Sequence, residues 1–178
     1  MFAYLLLLLA ALSRVTPHAD WLNFTAVGAS LLYFGARRPL REAVLPVAVL
    51  AATDYYLTAF GYGYAFHIGA YLTTWLWYAG IVLMGAGILK SSASWGRVGG
   101  ASVLSATSFF LISNFAVWAG SVMYPHSVGG LTACYAAALP FYRNDLISTT
   151  LVAAIAFGSP QLISRLAHGP QTNHPAAG

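Results

Sequence analysis

Apolar runs alternate with short polar stretches along this chain, and six of the runs predict helices. They cover residues 2–16, 24–36, 43–57, 68–89, 98–122 and 146–166. The run over 68–89 is the clearest membrane span, because a helix needs ~20 apolar residues to cross the hydrocarbon layer. We predict an all-α membrane protein, with a six-transmembrane-helix bundle as a single domain over residues 1–167. The polar residues 168–178 predict a disordered C-terminal tail.

The composition indicates that this bundle has lipid as its solvent. Hydrophobic residues make up 59% of the chain and charged residues 7%, with a mean hydropathy of +0.70. A soluble domain needs more charge on its surface. The net charge of +4 lies in short loops between apolar runs, so it predicts membrane orientation and not nucleic-acid binding. The single cysteine, Cys134, excludes an intrachain disulfide within these residues.

The basic residues are divided unequally between the two sides of the predicted bundle. Because cytoplasmic loops are richer in Lys and Arg, the richer side predicts cytoplasmic N- and C-termini. Residues 2–12 also resemble the apolar part of a signal peptide, but no basic residue precedes them, so we expect a retained helix. The richer side carries Arg37, Arg38, Arg41, Lys90, Arg97 and Arg165, and the other carries Arg14 and Arg143.

Polar and aromatic residues concentrate on the predicted outer side, beside helices that are short for a membrane span. Polar groups at membrane depth usually face a bundle interior or a cavity, and short helices are tolerated where protein covers their ends. These features predict an outward-facing cavity that binds a small molecule. The candidate ligand-binding residues are Arg14, His18, Asn23, Asp54, Asn114, Trp118, Tyr124 and Arg143.

Each candidate also has a purely structural interpretation. Asp54 ends an apolar run, where the helix dipole favours a cationic partner such as Arg14 or Arg143, although simple solvation is an alternative. The Arg14 side chain can instead extend to the lipid headgroups. Asn114 and Trp118 share one helix face, which suits a ligand surface, an interhelical hydrogen bond or the interfacial aromatic belt.

The stretch over residues 113–143 combines turn-forming, polar and aromatic residues between the last two predicted spans. We predict a short helix or re-entrant lid here, on the outer side, as part of the cavity wall. Asn144 or Asp145 then caps the sixth helix by accepting hydrogen bonds from its first free amides.

The sequence contains no pattern that is diagnostic of catalysis or of a bound metal. His18, His67 and His126 are too widely spaced for a recognisable ligand set, even with Cys134 added. No phosphate-binding loop, nucleophile elbow or zinc-protease motif occurs. We therefore expect no cofactor, no metal and no enzymatic activity.

Four blocks of the chain resemble a family of small bacterial membrane proteins of unknown function that are described as transport proteins. The family is in turn similar to the substrate-binding S components of energy-coupling-factor (ECF) vitamin transporters. The resemblance implies an outward cavity for a vitamin or related micronutrient, and an ECF-type energising module as a partner. The blocks are RVTPHADWLNFT at 14–25, the run over 46–54, SNFAVW at 113–118 and GLTACYAAALPFYRN at 130–144.

The chain departs from these patterns in three respects, of which the last bears on the implied partner. Ala26 stands where the family commonly has proline, and Ser148-Thr149 stands where it has a Gly-Asp pair. The first helix also lacks the Ala-xxx-Ala pattern with which S components contact their coupling subunit.

The leading hypothesis is thus capture of a small molecule from outside for uptake, with the lipid bilayer as solvent. One rival is a structural or assembly membrane protein, which predicts a co-purifying protein and no concave pocket. The other is a membrane-embedded enzyme, which requires Asp54 within hydrogen-bond reach of a histidine.

Overall fold

The computed structural model describes residues 1–15 and 24–167, with side chains up to residue 159. Within these ranges the chain is helical and contains no strand, which confirms the all-α prediction. The predicted tail over 168–178 and the candidates His18 and Asn23 lie outside the described residues. The six α-helices of the described part are α1 (Phe2–Val15), α2 (Val27–Arg37), α3 (Val44–Tyr56), α4 (Ile68–Ile88), α5 (Trp95–Gly120) and α6 (Val128–Ala167).

Helix α2 forms the centre of the bundle. Every residue from Val27 to Ala36 is buried, and α1, α4, α5 and α6 all pack against this helix. Its sequence is apolar or small at each of these positions, which is typical of a helix that is enclosed on all sides. Its 11 residues span only about 16 Å, so α2 is much shorter than the hydrocarbon layer. Protein, and not lipid, therefore surrounds the short helix.

Two glycines allow α2 and α4 to cross in backbone contact. A Cβ atom at Gly35 of α2 would lie 1.9 Å from the Val82 carbonyl oxygen of α4. In the opposite direction, a Cβ at Gly85 would lie 2.2 Å from the Leu32 carbonyl oxygen. Both distances are shorter than any van der Waals contact, so the crossing requires glycine at each position. This contact fixes how closely α4 packs against the central helix.

Three helical segments are long and apolar enough to cross a membrane. They are Leu40–Gly61, which contains α3, Ile68–Ile88, which is α4, and Trp95–Gly120, which is α5. Their outer faces carry exposed leucines, among them Leu76, Leu83 and Leu104. Exposed apolar faces of this kind are typical of lipid-facing helices. The described part of the chain therefore has the features of a membrane protein.

The last helix differs from its prediction. Helix α6 begins at Val128 and continues without interruption to Ala167, so no separate short helix or re-entrant lid forms before residue 146. The hydroxyl of Ser127 accepts a hydrogen bond from the Gly130 N–H at 3.1 Å and caps the helix there. Pro140 lies inside α6, which continues past it although proline removes a backbone donor and its ring crowds the preceding turn. The predicted N-terminal cap at Asn144 or Asp145 is wrong because both residues lie in mid-helix.

Candidate functional site

A buried ion pair joins the ends of α1 and α3. Arg14, in the last turn of α1, donates from Nη2 to the Asp54 Oδ1 atom at 2.5 Å. The Asp54 side chain is 2% exposed and that of Arg14 is 19% exposed. Asp54 lies near the C-terminus of α3, where the partial negative charge of the helix adds to its need for a cation. The structure thus brings together two of the predicted site residues and pairs them.

Neutral donors and acceptors hold both members of the pair in place. The Arg14 guanidinium also donates to the Thr53 hydroxyl at 3.1 Å and to the Tyr78 hydroxyl at 2.9 Å. The second carboxylate oxygen of Asp54 accepts from the Trp75 indole N–H at 2.9 Å. Charged groups that are removed from water need such additional partners to offset the free-energy cost of desolvation. Their positions are therefore determined by three helices, α1, α3 and α4.

A π-helical turn, Leu57–Gly61, directly follows α3. It brings Thr58 into the interior, where its hydroxyl donates to the Asp54 backbone carbonyl at 2.8 Å. The Tyr71 hydroxyl lies 2.5 Å from the same Thr58 oxygen and acts as its donor, since the threonine proton is already used. Single π-turns occur frequently at functional sites. Here the turn links the end of α3 to α4.

A cavity of about 190 Å³, here called the ion-pair cavity, opens next to Arg14 and Asp54. Its other walls come from α2, α4, α5 and α6. Aromatic rings and small or polar side chains alternate around it, so it can accept a polar group. The remaining lining residues are Thr25, Val27, Gly28, Tyr71, Thr74, Trp77, Tyr78, Phe109 and Asp145.

A larger cavity of about 420 Å³, here called the aromatic cavity, lies between α5 and α6. It shares Phe109 and Asp145 with the ion-pair cavity, so the two spaces adjoin. Two predicted site residues, Asn114 and Tyr124, line it. Its other walls are mainly aromatic and small apolar side chains, namely Phe110, Ser113, Val117, Met123, Cys134, Ala137, Ala138, Phe141 and Tyr142.

Asp145, at the junction of the two cavities, was not predicted as a site residue. Its side chain is buried, with 6% of the residue exposed. Among the described residues its carboxylate accepts one hydrogen bond, from the Thr149 hydroxyl at 3.4 Å, and forms no ion pair. The sequence signal was present as a carboxylate beside an apolar run, but it was interpreted as a helix cap. Only the continuity of α6 shows that Asp145 faces the bundle interior.

The other predicted site residues have different surroundings. Asn114 lines the aromatic cavity and donates to the Phe110 carbonyl of its own helix at 2.7 Å. The Trp118 indole donates to the Pro125 carbonyl at 3.0 Å, which fixes the connector between α5 and α6. Arg143 is exposed on α6 and lines neither cavity.

Several residues that sequence reasoning missed form the immediate surroundings of the ion pair. Thr53, Trp75 and Tyr78 bond directly to Arg14 or Asp54. Trp75 and Tyr78 lie one turn apart inside an apolar run, so their sequence context does not distinguish them from residues of an aromatic belt.

Comparison with known proteins assigns the chain at the level of a family. A sequence profile described as "Family of unknown function (DUF6580)" matches residues 1–172. No curated protein and no solved structure matches the chain. The expected membership in a family of unknown function is confirmed, whereas the family description mentions no transport system. The similarity to S components therefore stays a prediction.

Proposed function

We propose, from the site itself, that the protein binds a small molecule within the membrane for uptake. The chain belongs to this family of unknown function, and the family therefore assigns no activity. The proposal includes six membrane passages, both termini in the cytoplasm and cavities that open to the outer side of a bacterial inner membrane. The excess of basic residues on one side of the bundle supports this orientation. Three of the passages have helices of sufficient length and apolarity.

One observation carries the proposal, namely that a buried ion pair lines a cavity. An ion pair is rarely the most stable way to fill a protein interior, since apolar residues of similar volume stabilise it as well or better. Ionisable residues at membrane depth generally face a pathway or a binding site. Arg14 and Asp54 have this position, because both line the ion-pair cavity. We take their position there as a sign of ligand recognition.

The two adjoining cavities favour an amphipathic ligand. The ion-pair cavity offers charged and hydroxyl groups to a polar part of the molecule. The aromatic cavity, at about 420 Å³, lies within the range of roughly 300–1,000 Å³ that is typical of small-molecule sites. The walls of this cavity suit a flat or apolar part of the ligand. A vitamin or related micronutrient, which the resemblance to S components implies, has this general character.

The chemistry around Asp54 supports binding over catalysis. An enzymatic role was expected to place a histidine within hydrogen-bond reach of this carboxylate. Among the described residues its side-chain partners are Arg14 and Trp75, neither of which titrates near neutral pH. Held by these two partners, the carboxylate orients its neighbours, and neither partner exchanges a proton with it near neutral pH.

A cavity-filling variant tests the proposal. Ala136 and Ala137 are neighbouring exposed residues of α6, but only Ala137 lines the aromatic cavity, so Ala137→Phe and Ala136→Phe form a matched pair. We expect native mass spectrometry from detergent to show a retained small molecule on the wild type and Ala136→Phe, and none on Ala137→Phe. Uptake of the identified molecule into cells should follow the same order. Wild-type protein that retains no small molecule but co-purifies with another membrane protein would instead support the structural role.

Co-expression with an ECF-type energising module tests the implied partner separately. A stable complex after purification in detergent is the result expected from S-component-like action. Binding of the molecule without such a complex would indicate that the protein acts alone.

A further inference from the structure

We infer that the ligand is a small organic cation, held by the Asp145 carboxylate between the aromatic walls of the larger cavity. This inference rests on the proposed function and adds the chemical class of the molecule. The residues that carry it are different from the ion pair that supports the proposed function.

The charges of the two cavities do not sum to zero. Arg14 contributes one positive charge, Asp54 one negative charge and Asp145, when it is ionised, a second negative charge, and these are the ionisable acidic and basic side chains among the described lining residues. Arg14 and Asp54 neutralise each other through their direct contact. Asp145 is therefore left without a compensating charge in the described part of the chain. A cation bound at the junction of the cavities would supply it.

The hydrogen bonding of Asp145 leads to the same conclusion. A carboxylate can accept about four hydrogen bonds. The described residues supply one, from Thr149 at 3.4 Å, although the residue is only 6% exposed. A buried carboxylate with so few partners is stable in its ionised form only beside a cation, and without one its protonated form is favoured. Because Asp145 lines both cavities, its free acceptor positions are accessible to a ligand that occupies either one.

The aromatic walls near Asp145 suit a positive charge that carries apolar groups. Cations of this type are attracted to the faces of aromatic rings within about 6 Å. Phe110 and Tyr142 lie with their ring centroids 4.8 Å apart in the wall, and the Tyr142 hydroxyl is 2.9 Å from the Thr107 hydroxyl. The hydrogen bond holds the ring in place, so the wall is preorganised. An aromatic or alkyl ammonium compound matches this combination of one carboxylate and several rings.

The ion pair also disfavours an anionic ligand. All the contacts of the Arg14 guanidinium described above go to Thr53, Asp54 and Tyr78. An anion would have to displace one of these groups and would add to the negative charge of Asp145. We expect the selectivity order cation, then neutral molecule, then anion.

Three probes of similar size and different charge test the inference. They are 2-phenylethylammonium, 2-phenylethanol and 3-phenylpropionate, titrated calorimetrically against the whole protein in nanodiscs of zwitterionic phosphatidylcholine. We expect the ammonium probe to bind at least about tenfold more tightly than the alcohol, with the carboxylate weakest. Asp145→Asn should abolish the preference for the cation and leave alcohol binding within about threefold, because only the charge is removed. Asp145→Glu should retain the preference, and Glu42→Gln, outside both cavities, should change nothing.

The outcomes separate the inference from the proposed function. If the alcohol or the carboxylate binds the wild type as tightly as the ammonium probe, and Ala137→Phe blocks that binding, the inference is overturned while the proposed function stands. An unchanged preference in a folded Asp145→Asn protein also overturns the inference. If no probe binds and the purified protein retains no small molecule, both are wrong. Thermal unfolding of each variant establishes that it is folded.

Discussion

The Arg14–Asp54 pair allows the energetics of the site to be tested independently of any ligand. We consider the variant Asp54→Leu, which removes the carboxylate and keeps a side chain of similar length. Arg14 then loses its only described counter-ion and retains two hydroxyl partners, those of Thr53 and Tyr78. The Trp75 indole also loses its acceptor. An uncompensated charge in the bundle interior is the dominant result.

The expected effect is large because the pair is buried. Removal of one partner from a buried ion pair reduces the free energy of unfolding by about 3–5 kcal/mol. Replacement of both members by apolar residues is often neutral or stabilising, because the desolvation of both charges is avoided. We therefore expect Asp54→Leu to be strongly destabilised and the double variant Arg14→Met/Asp54→Leu to recover most of the loss. The coupling free energy between the two positions should be at least about 2 kcal/mol.

The measurement is equilibrium unfolding by sodium dodecyl sulfate in dodecylmaltoside micelles, with circular dichroism as the signal. It compares the wild type, both single variants and the double variant. Glu42→Gln is the matched control, since it breaks the Arg38–Glu42 ion pair, which is much less buried. That variant should differ little from the wild type because exposed pairs contribute little. If the effects of the two single substitutions simply add in the double variant, Arg14 and Asp54 are not coupled and our account of the site is wrong.

Two further predictions concern the framework around the cavities. Gly35→Ala would place a methyl group 1.9 Å from a backbone oxygen of α4, so we expect a loss of about 1–3 kcal/mol in the free energy of unfolding. In the control variant Gly87→Ala the methyl group meets open space, so this variant should be neutral or stabilising. The same unfolding assay compares the two variants. Trp118→Phe removes the hydrogen bond to the Pro125 carbonyl, so amide hydrogen exchange in residues 121–127 should accelerate while exchange within α2 stays unchanged; equal rates in the connector would contradict the role given to this indole.

The part of the site that could be predicted depended on local chemistry. Asp54 at the C-terminal end of an apolar run needs a cation whatever the fold, and Arg14 was one of two basic residues on the same predicted side. The structure pairs Asp54 with Arg14, which is one of the two cationic partners that the sequence offered. Asn114 and Tyr124 were predicted as site residues because polar groups at membrane depth are unfavourable unless they face a cavity or a partner. The structure places both at the aromatic cavity.

The part that could not be predicted depended on helix continuity. The turn-forming residues within 113–143 and the polar residues Asn144 and Asp145 suggested a break before residue 146, because Asn and Asp side chains favour helix N-termini. In the folded protein, Ser127 caps α6 and the helix continues through Pro140. This continuity turns Asp145 from an expected cap into a buried group at the junction of two cavities.

The sequence by itself determined the helical class of this protein, the membrane character of three helical segments and the need of Asp54 for a positive partner. These properties follow from composition, periodicity and the charge of a single side chain, which do not depend on how the helices are arranged. Only the tertiary structure decided that α2 is central, that Gly35 and Gly85 bring two backbones into contact, and that Asp145 lies between the cavities. The reason is physical: burial and pairing are relations between distant segments, and a residue's own neighbours in sequence do not specify them.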